Sequence, residues 1–209
     1  MAHVGIDERR GAILAAAVRV LAREGIAAAT TRKIAAEADV NQAMLGYYFG
    51  SKDELLFAVL SEMMRQTQMV VLANRSTDTT LRGMIAESIT AFWATVERDP
   101  TIQIMQLELT LYALRQPESA WLAQQQYAGY EAVIAQMFQE GCAQTGTPCA
   151  VPYDALARFV MAGLDGMILQ FVSDHDVGCA RRALAQLIAA VTALAEGTAP
   201  LATMGDSAV

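Results

Sequence analysis

The chain has 209 residues, of which 54% are hydrophobic and 18% are charged, and its formal net charge is −7. A chain of this size and composition buries a substantial core, which excludes a disordered protein, and its acidic balance excludes a basic protein that coats nucleic acid. The charge is uneven, however: residues 1–52 carry seven basic and five acidic side chains, whereas the remainder carries eight basic and 17 acidic ones.

The first predicted element is a helix from about Asp7 to Glu24. Asp7 is its predicted N-cap, and Gly25 is its predicted C′ residue because glycine readily adopts the left-handed conformation that ends many helices. The apolar residues of this segment recur at spacings of three and four, which is the period of an amphipathic helix. They are Ile13, Leu14, Ala17, Val18 and Leu21.

Two short helices joined by a tight turn come next. The first is capped by Thr30 or Thr31 and ends near Ala38. Asp39 lies in the turn, where a left-handed conformation is often required and where Asp is tolerated better than most residues. Asn41 is the predicted N-cap of the second helix, which extends to about residue 49.

A capping box starts the fourth helix, since the Ser51 hydroxyl can accept the amide three residues on while Glu54 reaches back. Five further helices are predicted over about residues 80–97, 101–115, 118–144, 153–174 and 179–196. The expected fold is therefore all-α, with about nine helices. Its expected parts are a helix-turn-helix domain over residues 1–52, a larger helical domain over residues 53–197 and a flexible tail over residues 198–209.

The two short helices have the outline of a helix-turn-helix, whose second helix enters the DNA major groove. Gln42 in the first turn suits a bidentate contact to adenine, Ala43 or Met44 suits a thymine methyl group, and tyrosine hydroxyls suit phosphate. The full set of candidate DNA-contacting residues is Thr31, Arg32, Gln42, Ala43, Met44, Gly46, Tyr47, Tyr48 and Lys52.

The segments 31–35 and 43–55, with the sequences TRKIA and AMLGYYFGSKDEL, resemble the DNA-binding signature of the TetR family of transcriptional regulators over roughly residues 8–60. The resemblance implies a homodimeric repressor that binds palindromic operator DNA and is released by a small molecule, although activation stays open. It places Thr31, Arg32, Gln42, Ala43, Tyr47, Tyr48 and Lys52 on DNA-contact positions of the family.

Two residues depart from the family pattern. Gly46 stands where a tyrosine or another larger residue is frequent, which either removes a DNA contact or lets the backbone approach the groove. It also costs about 1 kcal/mol of helix propensity relative to alanine. Asp39 replaces the usual turn glycine.

The last two long helices form the expected dimer interface by analogy with the family. Small residues at positions 155, 162, 163 and 166 permit close helix approach, and apolar area is offered by Phe159, Leu187, Ile188, Val191 and Leu194. The alternative is that these stripes are core within one subunit. Dimerisation also follows from the need to read two half-sites about one helical turn apart.

The middle helices are the expected site of a small, largely apolar effector, because methionine and aromatic side chains line adaptable cavities. Core packing is the alternative role of the same residues. Glu108 lies in an apolar stretch, where its carboxylate suits binding of a cation or a hydroxyl group of the effector. The alternative is that it pairs with an arginine of the chain itself. The candidates are Phe92, Met105, Glu108, Tyr112, Trp121, Tyr127, Tyr130, Met137 and Met161.

Other classes of protein find little support in the sequence. The three cysteines and two histidines lack metal-ligand spacing, so neither a metal nor another cofactor is expected, and no nucleophile or phosphate-loop motif indicates an enzyme. The longest uncharged apolar segment, residues 183–195, is shorter than the roughly 20 residues of a membrane span, and no signal peptide is evident. A cytoplasmic regulator is expected, with a helical protein-interaction module that has lost DNA binding as the rival.

Overall fold

The computed structural model describes residues 5–73, 76 and 78–199, and this described part contains nine α-helices and no strand. The predicted all-α fold is confirmed, and the five helices after α4 begin and end within two residues of their predicted bounds. Most of the predicted flexible tail, residues 200–209, lies outside the described residues. The helices are α1 (Ile6–Ala28), α2 (Thr31–Glu37), α3 (Gln42–Phe49), α4 (Lys52–Ala73), α5 (Leu81–Arg98), α6 (Pro100–Arg115), α7 (Ala120–Thr145), α8 (Tyr153–Asp174) and α9 (Val177–Ala195).

Helix α1 has a different start from the predicted one and a break near its end. Gly5 is the N-cap, and its amide donates to the Glu8 carboxylate at 3.3 Å. The prediction that Asp7 caps the helix is therefore wrong, because Asp7 already lies in the first turn. Gly25 has φ 73° and ψ 168°, which interrupts the helix where the sequence predicted a residue of positive φ.

The described residues fall into two compact units. The first comprises those within Met1–Met69 and Arg98–Gly129, and the second comprises those within Val70–Glu97 and Tyr130–Val209. Helix α6 and the start of α7 thus pack with the N-terminal helices. The predicted division of function at residue 52 stays a prediction.

The first unit is organised around one apolar cluster. The α1 stripe contributes Ile13, Leu14, Ala17 and Leu21 as predicted, whereas Val18 is only partly buried. Burial of each large side chain stabilises the unit by about 1.5–3 kcal/mol before the entropic cost of ordering it. The other helices contribute Ile34, Ala35, Leu45, Phe49, Leu55, Leu56, Val59, Leu60, Met63, Met105, Leu109 and Leu122.

The second unit is fixed by a polar contact beside a buried aromatic pair. Trp93 on α5 stacks edge-on against Phe171 at 5.6 Å between ring centroids, and its Nε1 donates to Glu97 at 2.9 Å. Arg181 on α9 donates two hydrogen bonds to the same carboxylate, at 3.0 and 2.7 Å. The Arg181 guanidinium lowers the pKa of Glu97, so the pair is charged at neutral pH.

Helices α8 and α9 pack closely against each other. A Cβ added at Gly163 would lie 2.6 Å from Leu187 Cδ1, so a larger residue there would require the Leu187 side chain to move. Val191 is fully buried within the unit. The expectation that Val191 offers area to a partner is therefore wrong, because its side chain is already covered by its own chain.

The outward faces of the same two helices carry several large apolar side chains. Phe159, Leu169 and Val177 are all exposed. By length and composition alone both helices are apolar enough to cross a membrane, a test that core helices of other proteins also pass. Within the chain, 39% of the most apolar stretch of α8 and 22% of that of α9 is buried, so much of both helices is left uncovered.

Candidate nucleic-acid interface

The short helices α2 and α3 are held by side-chain caps at their N-termini. The Thr30 hydroxyl accepts the Lys33 amide at 3.3 Å, and the Asn41 side chain accepts the Met44 amide at 3.0 Å. Between the helices Asp39 has φ 52°, which confirms the predicted left-handed turn residue. These local interactions fix the direction in which α3 leaves the turn.

One side of α3 is anchored in the core of the first unit. Leu45 and Phe49 are buried. The Arg10 guanidinium lies 5.2 Å from the centre of the Phe49 ring, a cation–π contact with α1. Because this side is buried, the opposite side of α3 is presented to solvent at a defined angle.

The solvent-facing side of α3 carries most of the predicted base contacts. Gln42, Ala43 and Gly46 are exposed, and Tyr47 is 77% exposed. A large aromatic residue left this open is suited to a contact with a partner. The face fits a major groove, which admits one helix and is read by groups on its outward side.

Tyr48 and Met44 are less available than the sequence suggested, because both are partly buried. The Tyr48 ring packs against the apolar cluster and meets Tyr47 edge-on at 5.2 Å. Because its ring is packed in this way, Tyr48 can contact DNA only through its hydroxyl group.

Gly46 leaves the backbone uncovered by a side chain in the middle of the exposed face. A Cβ added there would meet nothing within 4 Å, so glycine is not required by the fold itself. Together with the small Ala43 one turn earlier, it allows a groove wall to approach the α3 backbone closely.

The basic side chains near α2 divide into paired and unpaired ones. Lys33 contacts Glu24 at 2.6 Å, while Arg19 and Arg23 contact Glu37 at 2.8 and 3.3 Å. Arg32 is exposed and, within the described part of the chain, contacts no carboxylate. It is therefore the cation of α2 that is free to meet a phosphate.

Lys52 already has a partner in the chain. Its Nζ donates to the Ile26 carbonyl at 3.2 Å, which leaves two of its three N–H donors for other contacts. The capping box before it is confirmed: the Glu54 amide donates to the Ser51 hydroxyl and the Ser51 amide donates to the Glu54 carboxylate, both at 3.1 Å.

A polar connection from α6 to this module was not foreseen. The Glu108 carboxylate accepts the Ile26 amide at 3.2 Å, and the Tyr112 hydroxyl donates to Asp53 at 2.8 Å. The hydrogen bond to Asp53 and then burial raise the pKa of Tyr112. The spacing of four places Glu108 and Tyr112 on one face of α6, but no local pattern in the sequence indicates their partners.

The remaining effector candidates lie in both units. In the first, Met105 belongs to the apolar cluster, Tyr127 is partly buried and Trp121 is 57% exposed. In the second, Tyr130 is buried and the others are partly buried, namely Phe92, Met137 and Met161. Each candidate role stays a prediction. Among the described residues no group of three acidic, histidine or cysteine side chains is placed to hold a metal.

Comparison with sequence families gives two matches that together span most of the chain. The model of bacterial regulatory proteins of the tetR family matches residues 13–59. The model of the tetracyclin repressor-like C-terminal domain matches residues 76–194, which is more than half of the chain.

Individual relatives agree with these matches. The chain is 28% identical over 172 residues to the HTH-type nicotine-responsive transcriptional repressor HdnoR of Paenarthrobacter nicotinovorans, covering 82% of this chain and 88% of the relative. Among solved structures, the multidrug binding protein EbrR in complex with imidazole is 30% identical, with a TM-score of 0.61 and 86% and 89% of the two chains covered. FadR of Bacillus subtilis in complex with stearoyl-CoA is 21% identical, with a TM-score of 0.68, and the match covers 90% of this chain and 98% of FadR. At this identity the match supports the fold alone.

Proposed function

Because the chain belongs to the TetR family of bacterial transcriptional regulators, we propose that it is a repressor whose homodimer binds a palindromic operator and is released by a small molecule. The observation that carries this proposal is the exposed face of α3. Gln42, Ala43, Gly46 and Tyr47 are exposed there, while the other side of the same helix is anchored in the core.

The proposed contacts divide by chemistry. Gln42 reads a base edge, and Ala43 with Met44 contacts thymine methyl groups. Thr31, Arg32, Lys52 and the two tyrosine hydroxyls contact phosphates and fix the position of the dimer on the duplex. Gly46 adds no contact and instead permits the backbone to approach.

The homodimer is proposed to form through α8 and α9. Their outward faces expose Phe159, Leu169 and Val177, and an apolar surface of this kind is commonly buried against a second subunit. A second copy also accounts for the hydropathy of these helices without a membrane. The protein then acts in the cytoplasm, where its operator is.

The proposed effector is a small, largely apolar organic molecule bound among the middle helices. Support comes from relatives described as nicotine-responsive and as multidrug binding. Its binding is proposed to shift α4, which follows the DNA-binding helices directly, and so to change the separation of the two α3 helices. Coupling of about 1–3 kcal/mol between two such sites is typical.

Selection of bound duplexes from a random DNA pool, with purified protein near physiological salt, tests the DNA-binding part of the proposal. We expect recovery of a palindrome whose binding is weakened by Gln42→Ala and by Tyr47→Ala. Arg98→Ala, an exposed cation outside α2 and α3, serves as the control and should leave binding unchanged. No enrichment above nonspecific binding would contradict the proposal and favour a helical interaction module.

A further inference from the structure

The amide of Gln42, at the start of α3, is held by a residue of the preceding helix. Its Nε2 donates to the Thr31 hydroxyl oxygen at 2.9 Å, across the turn of the helix-turn-helix. Gln42 is exposed and Thr31 is partly exposed, so in free protein this hydrogen bond competes with water and adds little to stability. A larger effect of this hydrogen bond is therefore expected in the DNA-bound state.

The direction of this hydrogen bond decides what Gln42 offers to DNA. With one Nε2 hydrogen on Thr31, the amide keeps its second N–H and its Oε1 acceptor. One donor beside one acceptor matches adenine, which presents the N7 acceptor and the N6 amino donor in the major groove. The opposite orientation, with Oε1 on Thr31, would present two N–H donors and match the two acceptors of guanine.

The same contact leaves the Thr31 hydroxyl hydrogen unused. Because the Thr31 oxygen accepts from Gln42, its O–H is free to donate to a phosphate oxygen. A phosphate in that place would polarise the hydroxyl and strengthen its acceptance of the Gln42 N–H.

We propose that Thr31 is a specificity-determining residue that orients the Gln42 amide for adenine, in addition to any phosphate contact of its own. The proposal rests on operator binding through α3, as argued above. Thr31 acts on base choice through Gln42, so it is a positioning residue. Loss of the Thr31 hydroxyl should change the base preference of the protein more than its folding stability.

The test first locates the base that Gln42 reads. Duplexes are selected with wild-type protein and with Gln42→Ala, and the position at which the variant loses its preference is identified. Affinities are then measured for duplexes with adenine or guanine at that position, using wild-type protein, Thr31→Val and Thr31→Ser. Valine keeps the shape of threonine without the hydroxyl, and serine keeps the hydroxyl. Thermal unfolding verifies that each variant is folded.

We expect wild-type protein and Thr31→Ser to prefer adenine by about fivefold or more, the lower range for a bidentate contact. Thr31→Val should lower that ratio to near that of Gln42→Ala, and the double variant should lower it no further. The ratio is informative because loss of a phosphate contact weakens all sequences about equally.

Three outcomes would overturn the proposal. Thr31→Val could bind all duplexes more weakly with an unchanged preference, which would make Thr31 a phosphate contact alone. Wild-type protein could prefer guanine, which would reverse the orientation of the amide. A wild-type protein without sequence preference would remove both this proposal and the proposed function, whereas the first two outcomes leave the proposed function intact.

Discussion

The Glu108 carboxylate on α6 accepts a hydrogen bond from the backbone amide of Ile26, with 3.2 Å between Oε2 and the nitrogen. The backbone carbonyl of Ile26 accepts a hydrogen bond from Lys52 Nζ, also at 3.2 Å. Gly25, directly before Ile26, has positive φ and interrupts the helical geometry near the end of α1. Charged side chains from α6 and α4 contact the backbone at this break.

Removal of the Glu108 carboxylate should therefore destabilise the first unit. Glu108→Ala leaves the Ile26 amide without its partner, and because the site is partly exposed we expect a loss of about 1 kcal/mol in the free energy of unfolding. Glu108→Gln keeps an acceptor oxygen and should lose less. Urea unfolding at neutral pH measures both, and equal stability of the alanine variant and the wild type would contradict this account.

Gly46→Ala should raise the stability of the protein while it weakens DNA binding. The added Cβ meets nothing within 4 Å in the free protein, so alanine should stabilise α3 by up to about 1 kcal/mol through its helix propensity. The same methyl group should obstruct the groove wall and weaken operator affinity. Ala43→Gly, one turn earlier, is the control for propensity and should lower stability. An alanine variant that gains stability and binds the operator as tightly as wild type would show that close approach is not needed.

The parts of the structure that the sequence predicted depend on near neighbours. The Asn41 cap, the left-handed Asp39 and the Ser51–Glu54 capping box each involve residues at most three positions apart, so residue type and spacing determine them. The Glu108–Ile26 contact joins residues 82 positions apart, and no local pattern indicates it. The burial of Val191 was missed because its stripe on α9 fits a core face and a dimer face equally well.

The ion pairs between α1 and α2 should make the stability of the first unit depend on pH in the acid range. The hydrogen bond from Arg19, followed by that from Arg23, lowers the pKa of Glu37. A carboxyl group with a lowered folded-state pKa stabilises the fold fully above its ordinary pKa, about 4.3 for glutamate, and this stabilisation is lost as pH falls through the folded-state value.

Glu37→Gln tests this dependence because it keeps the shape and removes the charge. We expect the variant to melt at a lower temperature than wild type near about pH 7, and the difference to shrink as pH falls through the folded-state pKa of Glu37, below which the wild-type carboxyl is also neutral. Thermal unfolding across this range provides the measurement. A difference that stays constant from neutral to acid pH would rule out the ion pairs as its cause.

A charge on the outer face of α8 should separate the proposed dimer. Leu169 is 54% exposed in the single chain, and Leu169→Glu would place an unpaired carboxylate within an apolar interface. Leu111→Glu on α6 is a matched control, because Leu111 is 58% exposed and lies outside α8 and α9. Sedimentation equilibrium should give a dimer for wild type and the control and a monomer for Leu169→Glu. A dimer in all three would place the interface elsewhere.

The most direct test of the central claim, that two α3 helices read a palindrome together, compares affinity for a selected operator with affinity for the same duplex after one half-site is scrambled. Measurements at one fixed salt concentration keep the phosphate contribution comparable. Because several base contacts are lost at once, we predict a fall of at least about a hundredfold. Equal affinity for both duplexes would contradict recognition by a homodimer through its paired α3 helices.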